Sequence, residues 1–508
     1  MAPTHHIPEK QRAFVFAGGG SLGAYEAGAY KSIYEFIKKR DEAQGIRDKA
    51  VFDIIAGTSI GAMNAAVLVS YVVENGTYEG SAQRLADFWE YLSADSMTES
   101  NPFFRSWWDY WGLFTKDSAT SEAARRFYST KEFATYGVPH VFYPFIPSPD
   151  KRFLHPFNTW FQYSNEPLKR SLERFVRFPI STSYEDDQPR LILTAVDVAE
   201  GLPVTFDSYP KEDGHKYTGY GRFINHDGKD MGFEHVIRYD DGITSDQVMA
   251  SGSLPINFDY TKIEVESYNY DPSSRKDNGG KRTRGNNGGA SNISDTNSLY
   301  TKEIRRFWDG GLMTNTPLMQ LVLLHRYFWY RVKGIKDNVP RLMIGIVNLH
   351  PTAQPEIPGD YDGALNRKSD ISFSDRSHQE ESILMLMSDY VGLIRSLINL
   401  AKEGGIKEER INNLLDQPAR FRGLLYQHKK IGENIEGRFE IDDVIRIERK
   451  NDPNTISDKI FDFSRGMIKS LFEDGYLHAN IELENRFRAE LEKIRKDVYR
   501  DIGQNGLY

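Results

Sequence analysis

"VFDIIAGTSIGAMNAAVLVS", residues 51–70, decides the fold. A short run of large apolar residues, "VFDII", ends in small ones. An apolar segment of helical length follows without a charge. A strand buried on both faces reads as such a continuous apolar run. The junction, "GTSIG" at residues 57–61, matches G-x-S-x-G. In that motif a serine sits on a sharp turn between strand and helix. The glycines on either side leave room for the turn, and the hydroxyl stands at the carboxyl end of the sheet. Ser59 is therefore a candidate nucleophile, with Gly57 and Gly61 forming its elbow. A small-residue turn with serine as an ordinary helix cap is the plain alternative.

Working outward, "AFVFAGGGSLGAYEAGAYKSI", residues 13–33, repeats the pattern of strand, glycine turn and helix. The spacing of Leu22, Tyr25, Ala29, Ile33, Phe36 and Ile37 predicts a helix from Leu22 to about Lys39. Gly18, Gly20 and Gly23 also spell G-x-G-x-x-G, the pyrophosphate fingerprint of dinucleotide folds. That fold needs an acidic residue at the end of the second strand to hold the ribose. Here the second strand ends in "GTSIG" instead, and Asp41 and Glu42 fall too early. A loop of glycines beside a serine elbow is better suited to present backbone N–H groups to an oxyanion. The N–H groups of Gly19, Gly20 and Ile60 are the expected donors.

Strand–helix–strand–helix at this pitch predicts an α/β fold: a mainly parallel sheet sandwiched by helices. Residues 1–12 read as a polar tail, and the catalytic unit as residues 13–350. An aromatic, helical insertion is expected at about 80–185, including "NPFFRSWWDYWGLF" at residues 101–114. Those rings either pack in the insertion's core or cover a greasy cleft. "RLILTAVDVAEGLPVTFDS" predicts two strands turning at Gly201. Residues of about 267–300, rich in Gly, Asn and Ser, bury too little to order themselves. From Ser369 onward the chain is charged and helix-periodic, a helical C-terminal region running to residue 508.

The 508 residues carry 64 basic and 72 acidic side chains, a net charge of −8. That balance argues against nucleic acid as a partner. There is no cysteine, which excludes disulfides, thiol catalysis and thiolate metal sites. The first twenty residues hold no secretory h-region, and no uninterrupted run of eighteen apolar residues occurs. A cytoplasmic protein able to touch a membrane surface is the expectation.

Ser59 needs a base. Among twelve histidines, His350 ends an apolar strand and His325 lies mid-helix; both have ordinary structural readings. "RRFWDGGLMTNTPL", residues 305–318, places Asp309 at a strand end before Gly310 and Gly311. An Asp-Gly turn is common, but this one falls at the strand edge where a base would be needed.

The three blocks "GGGSLG", "GTSIG" and "DGG", in that order, resemble the signatures of the patatin-like phospholipases of bacterial type. "LTAVDVAEGLPVTF" and "VMASGSLPINF" match as well, so the resemblance spans roughly residues 12–350. It implies an α/β sandwich that hydrolyses lipid acyl esters with a Ser–Asp dyad. Ser59 is then the nucleophile and Asp309 the base. The loop Gly18, Gly19, Gly20, Ser21 and Gly23 is then the oxyanion hole, and no metal or cofactor is implied. Many relatives carry Arg or Lys where this chain has Leu22, which leaves backbone donors to act alone. A Ser–His–Asp hydrolase using His350, an acyltransferase and a catalytically silent lipid-binding module are the competing readings.

Overall fold

The computed structural model describes residues 7–46, 50–96, 106, 118–144, 161–224, 230–268, 300–419 and 430–505. The six aromatic residues from Phe103 to Trp111 and most of the polar loop lie outside the described residues.

The first strand, β1 (Lys10–Phe16), runs into a glycine turn and then α1 (Gly23–Ala43). Next come β2 (Ile54–Thr58) and α2 (Ile60–Asn75). The insertion contributes α3 (Ser81–Leu92), α4 (Ser118–Tyr136) and α5 (Glu166–Phe175). The chain returns to the sheet as β3 (Arg190–Asp197) and β4 (Leu202–Asp207), turning through Gly201 at positive φ. β5 (Tyr217–Ile224) and β6 (Asp230–Arg238) precede the short α6 (Ser245–Ser251). β7 (Thr261–Tyr268) and β8 (Tyr300–Asp309) follow, then α7 (Leu318–Tyr327) and β9 (Arg341–Asn348). Beyond them lie α8 (Tyr361–Ser372), α9 (Ser377–Glu403), β10 (Ile441–Glu448) and α10 (Arg465–Asn505).

Ten strands form one sheet in the order β10–β9–β1–β2–β3–β8–β7–β6–β5, with β4 branching from β3. From β10 to β3 every neighbouring pair is parallel; beyond β3 the pairing is antiparallel. The architecture is α/β/α, with helices on both faces and further helices toward the C-terminus. The alternation of β1 shows how one sequence serves two cores. Phe14 and Phe16 pack toward α1 and α2, while Ala13 and Val15 pack toward α7.

The C-terminal region is built into this body. β10 extends the parallel edge of the sheet, although its sequence, "IDDVIRIE", is too charged to read as a buried strand. α10 crosses α1 backbone to backbone. A Cβ on Gly28 would meet the Phe472 carbonyl oxygen at 1.9 Å, and one on Gly475 would meet that of Tyr25 at 1.9 Å. Only glycine on both helices permits that approach. One stretch, Tyr361–Glu403, is long and apolar enough to cross a membrane by length and composition. The count of uninterrupted apolar residues missed it because Asp389 and Arg395 break the run.

Candidate active site

Register brings the two motif residues together. β1 and β2 are aligned with Phe16 opposite Gly57, so the glycine turn and the serine elbow leave the same sheet edge side by side. Thr58 pairs with Thr194 of β3, and the next residue of β3, Ala195, pairs with Asp309 at the end of β8. Asp309 thus reaches the elbow from two strands away.

Ser59 has φ 57° and ψ −126°, a conformation that strains any residue with a side chain. The elbow is held on several sides. Its amide donates to Ser251 Oγ at 2.9 Å, and the Thr58 hydroxyl lies 2.6 Å from that of Thr194. The packing explains the flanking glycines. A Cβ at Gly57 would lie 2.2 Å from the Gly61 carbonyl oxygen, and one at Gly61 would lie 2.6 Å from that of Ala17.

Ser59 Oγ donates to Asp309 Oδ2 at 2.5 Å. The other oxygen, Oδ1, accepts the Gly311 amide at 2.7 Å. Asp309 is 2% exposed. Burial pushes its carboxyl up to about 7, and the bonds from Ser59 and Gly311 offset only part of that rise. Gly310 fits because a Cβ there would meet the Thr194 carbonyl oxygen at 2.4 Å.

The glycine turn lies against the serine: a Cβ on Gly18 would stand 2.9 Å from Ser59 Cβ. Gly20 has φ +58°, open to glycine at little cost, and a Cβ there would lie 2.4 Å from the Ile460 carbonyl oxygen. The donors in the loop are not equivalent. Gly18 N–H is already engaged by Asn315, at 3.1 Å to Oδ1 and 3.3 Å to the carbonyl oxygen. The Ser21 hydroxyl donates to the Lys459 carbonyl oxygen at 2.9 Å. No acceptor for the Gly19 or Gly20 amide occurs among the described residues. Ile60 occupies the first position of α2, where an N–H lacks an intrahelical partner. Gly23 opens α1 and packs against Trp89 and Ile60.

Sequence reasoning missed the side chains that hold this loop. Asn315 clamps it, returning Nδ2 to the Gly18 carbonyl at 3.2 Å and to the Phe373 carbonyl at 2.9 Å. It stands six residues after Asp309, within the segment that carries the acid motif. Glu26, fully buried in the first turn of α1, accepts the Ala17 amide at 2.6 Å and Asn64 Nδ2 at 3.0 Å. Burial raises its carboxyl well above the usual range. Its only sequence signal is an acid on the apolar face of a helix.

A cavity of about 30 Å³ remains over the serine, walled by Ser59, Asp309, Asn315, His350, Phe373 and Ile460 among others. His350 therefore shares the cavity but is committed elsewhere. Its Nδ1 lies 3.3 Å from Asp370 Oδ1, and Asp370 also bonds Lys459 and Asn451. Burial lowers the His350 pKa. No hydrogen bond joins His350 to Ser59 among the described residues. His325 is a buried residue of α7, with Nε2 2.8 Å from the Pro340 carbonyl oxygen. No cluster of metal-ligating side chains occurs among the described residues.

A serine on a strand–elbow–helix turn, bonded to a buried carboxylate beside a glycine turn on a mainly parallel sheet, sets the class as an α/β/α protein. The family model for patatin-like phospholipase matches residues 14–322, and the chain belongs to that family of lipid acyl hydrolases. The match spans all three motifs. No curated protein matches the chain. Among solved structures, VipD from Legionella pneumophila is similar at 10% identity with a TM-score of 0.27, over 94% of this chain and 67% of its own.

Proposed function

We propose that this chain hydrolyses lipid acyl esters with Ser59 as nucleophile and Asp309 as general base. The observation that carries the reading is the 2.5 Å bond from a strained serine to a carboxylate whose pKa burial has raised to about 7. Asp309 takes the Ser59 proton as Oγ attacks the ester carbonyl. The oxyanion that forms is held by the N–H groups of Gly19 and Gly20, with that of Ile60 beside them. Collapse breaks the C–O bond, and the leaving alkoxide takes the proton from Asp309. Water then attacks the acyl-Ser59 ester and gives its proton to Asp309, which passes it to Oγ as the acid departs. Every proton transfer uses Asp309, and no metal or cofactor enters.

Ser59→Ala tests the assignment. The hydroxyl is lost while the packing of the elbow is kept. Hydrolysis of a short soluble acyl ester should fall by about 10³ or more. A fluorophosphonate should label the parent at Ser59 and leave the variant unlabelled. Labelling of another serine, or unchanged turnover by folded variant, refutes the reading.

A further inference from the structure

The described cavity over Ser59, about 30 Å³, is far below the roughly 300 Å³ or more that a ligand the size of an acyl chain occupies. The site as it stands has room for water and not for its substrate. One wall is Phe373, at the corner between α8 and α9, and Asn315 ties the backbone of that corner to the glycine loop at 2.9 Å. The helix that leaves this corner is unusual in its composition.

α9 touches the body along a narrow stripe. Leu384 and Ser388 are buried, and Ser388 Oγ donates to the Phe439 carbonyl at 2.7 Å. Its one mid-helix cation, Arg395, turns inward, bonding the Ile435 and Lys336 carbonyls and Asn338. The opposite face is apolar too. Ile383, Leu386, Tyr390, Leu393, Leu397 and Leu400 are each 50–61% exposed. At about 100° per residue, these side chains with Met387 and Ile394 cover an arc of about 140° that holds no charged residue. Asp389 falls at its border. From Ile383 to Leu400 the stripe is about 27 Å long.

A helix facing water on one side carries charges there, whereas one apolar all round sits in an apolar medium. The shape of the stripe narrows the choice of medium. A helix–helix seam is a narrow a/d line flanked by charged positions. Here the arc is broad and convex; Asp389, Ser396 and Met385 flank it on one side and Ile398 and Val391 on the other. Such a face suits a deformable medium rather than a fitted groove. α9 itself begins four residues after Phe373, which walls the Ser59 cavity.

We propose that the outward face of α9 is the surface by which this protein lies on a lipid bilayer. The inference rests on the reading of the substrate as a lipid. Because the arc is uncharged, docking is apolar and nearly independent of ionic strength.

The experiment is co-sedimentation of the full chain with sucrose-loaded phosphatidylcholine vesicles. Ser59→Ala is the background, so that no lipid is consumed. The variants are Leu386→Glu/Leu393→Glu/Leu397→Glu on α9 and, as a control, Ile304→Glu on β8, where an exposed apolar side chain lies away from the stripe. Circular dichroism melts establish that both are folded. If the triple variant unfolds, Leu386→Ser/Leu393→Ser replaces it. The expected result is vesicle binding by the background, changing by less than about threefold between low and high salt. The α9 variant should lose about 100-fold or more, and Ile304→Glu should match the background. Absence of vesicle binding by the background overturns the proposal. So does equal binding by the α9 variant, or a dimer in solution that the α9 variant converts to monomer. Hydrolysis of a short soluble ester by the unmodified chain is measured separately. Its absence, with vesicle binding intact, counts against the enzymatic reading and not against the docking surface.

Discussion

Asp309→Asn separates the catalytic role proposed for this carboxylate from its energetic cost. The side chain keeps its shape, and its oxygen can still accept the Gly311 amide as Oδ1 does at 2.7 Å. What is lost is a charge that burial opposes. In the folded protein the carboxyl titrates at about 7 instead of 3.8. The sign follows from a raised pKa. Below the unfolded value the group is protonated in both states, and its contribution to stability is fully present. As pH rises toward about 7 the unfolded chain releases the proton and the folded one retains it, so stability falls. Each unit of pH in that window costs about 1.4 kcal/mol. Between about pH 5 and about pH 8, roughly two of those units apply, and the parent loses about 2–3 kcal/mol from this group alone. The Asn variant carries no such dependence.

Other titrating groups are common to both proteins and cancel in the difference. Urea unfolding of parent and variant at both pH values yields that difference. The variant should gain about 2–3 kcal/mol on the parent as pH is raised. Its hydrolysis of a short ester should fall by about 10³ or more. The parent's kcat/KM should rise with pH and level off above about 7, as Asp309 becomes a base. A stability difference that is the same at both pH values refutes the buried, proton-retaining carboxylate. Retained turnover in the variant refutes its role as base.

The other predictions address the frame around the dyad. Asn315→Leu removes the clamp on Gly18 and leaves buried donors and acceptors unpaired; kcat should drop about 10- to 100-fold with folding retained, measured on a soluble ester. Gly20→Ala places a Cβ at φ +58° against the Ile460 carbonyl, so activity should fall by about 10-fold or more and the melting temperature should drop, read by calorimetry. His350→Ala should keep kcat within about tenfold, because its polar bond is to Asp370 and not to Ser59. A loss as large as that of Asp309→Asn would favour the histidine-based reading.

What the sequence disclosed about this site follows from the range of the interactions involved. The glycine turn, the serine elbow and the Asp-Gly turn are local devices. Each needs small residues at fixed offsets, so each is written in a few consecutive letters. Their order along a strand–helix alternation made the parallel sheet legible as well. The walls of the cavity were not legible, because Phe373 and Ile460 owe their place to tertiary packing. Ser251 and Asn315 lay inside segments that matched the family, yet their roles are hydrogen bonds to backbone atoms 192 and 297 residues away in sequence. β10 was hidden for another reason. An edge strand is half exposed and carries charges that discourage further pairing, so "IDDVIRIE" blended into the charged helices around it.

On the proposed reading one absence in the sequence, a histidine poised as base, finds a physical answer in the burial of Asp309. A carboxylate in water is too weak a base to draw a serine proton near neutral pH. Withdrawn from solvent, Asp309 rises to about 7, where a general base is most effective. On the proposed reading the oxyanion is left to the backbone N–H groups of Gly19 and Gly20, both only half-buried. Asp309 itself is buried, while the cavity of about 30 Å³ over Ser59 leaves room for the water that the second step needs. Its walls include Phe373, on the corner from which the apolar face of α9 departs. The proposed dyad thus rests on burial of the carboxylate itself, which raises Asp309 into the range where it can take a proton from Ser59 and, in the second step, from water.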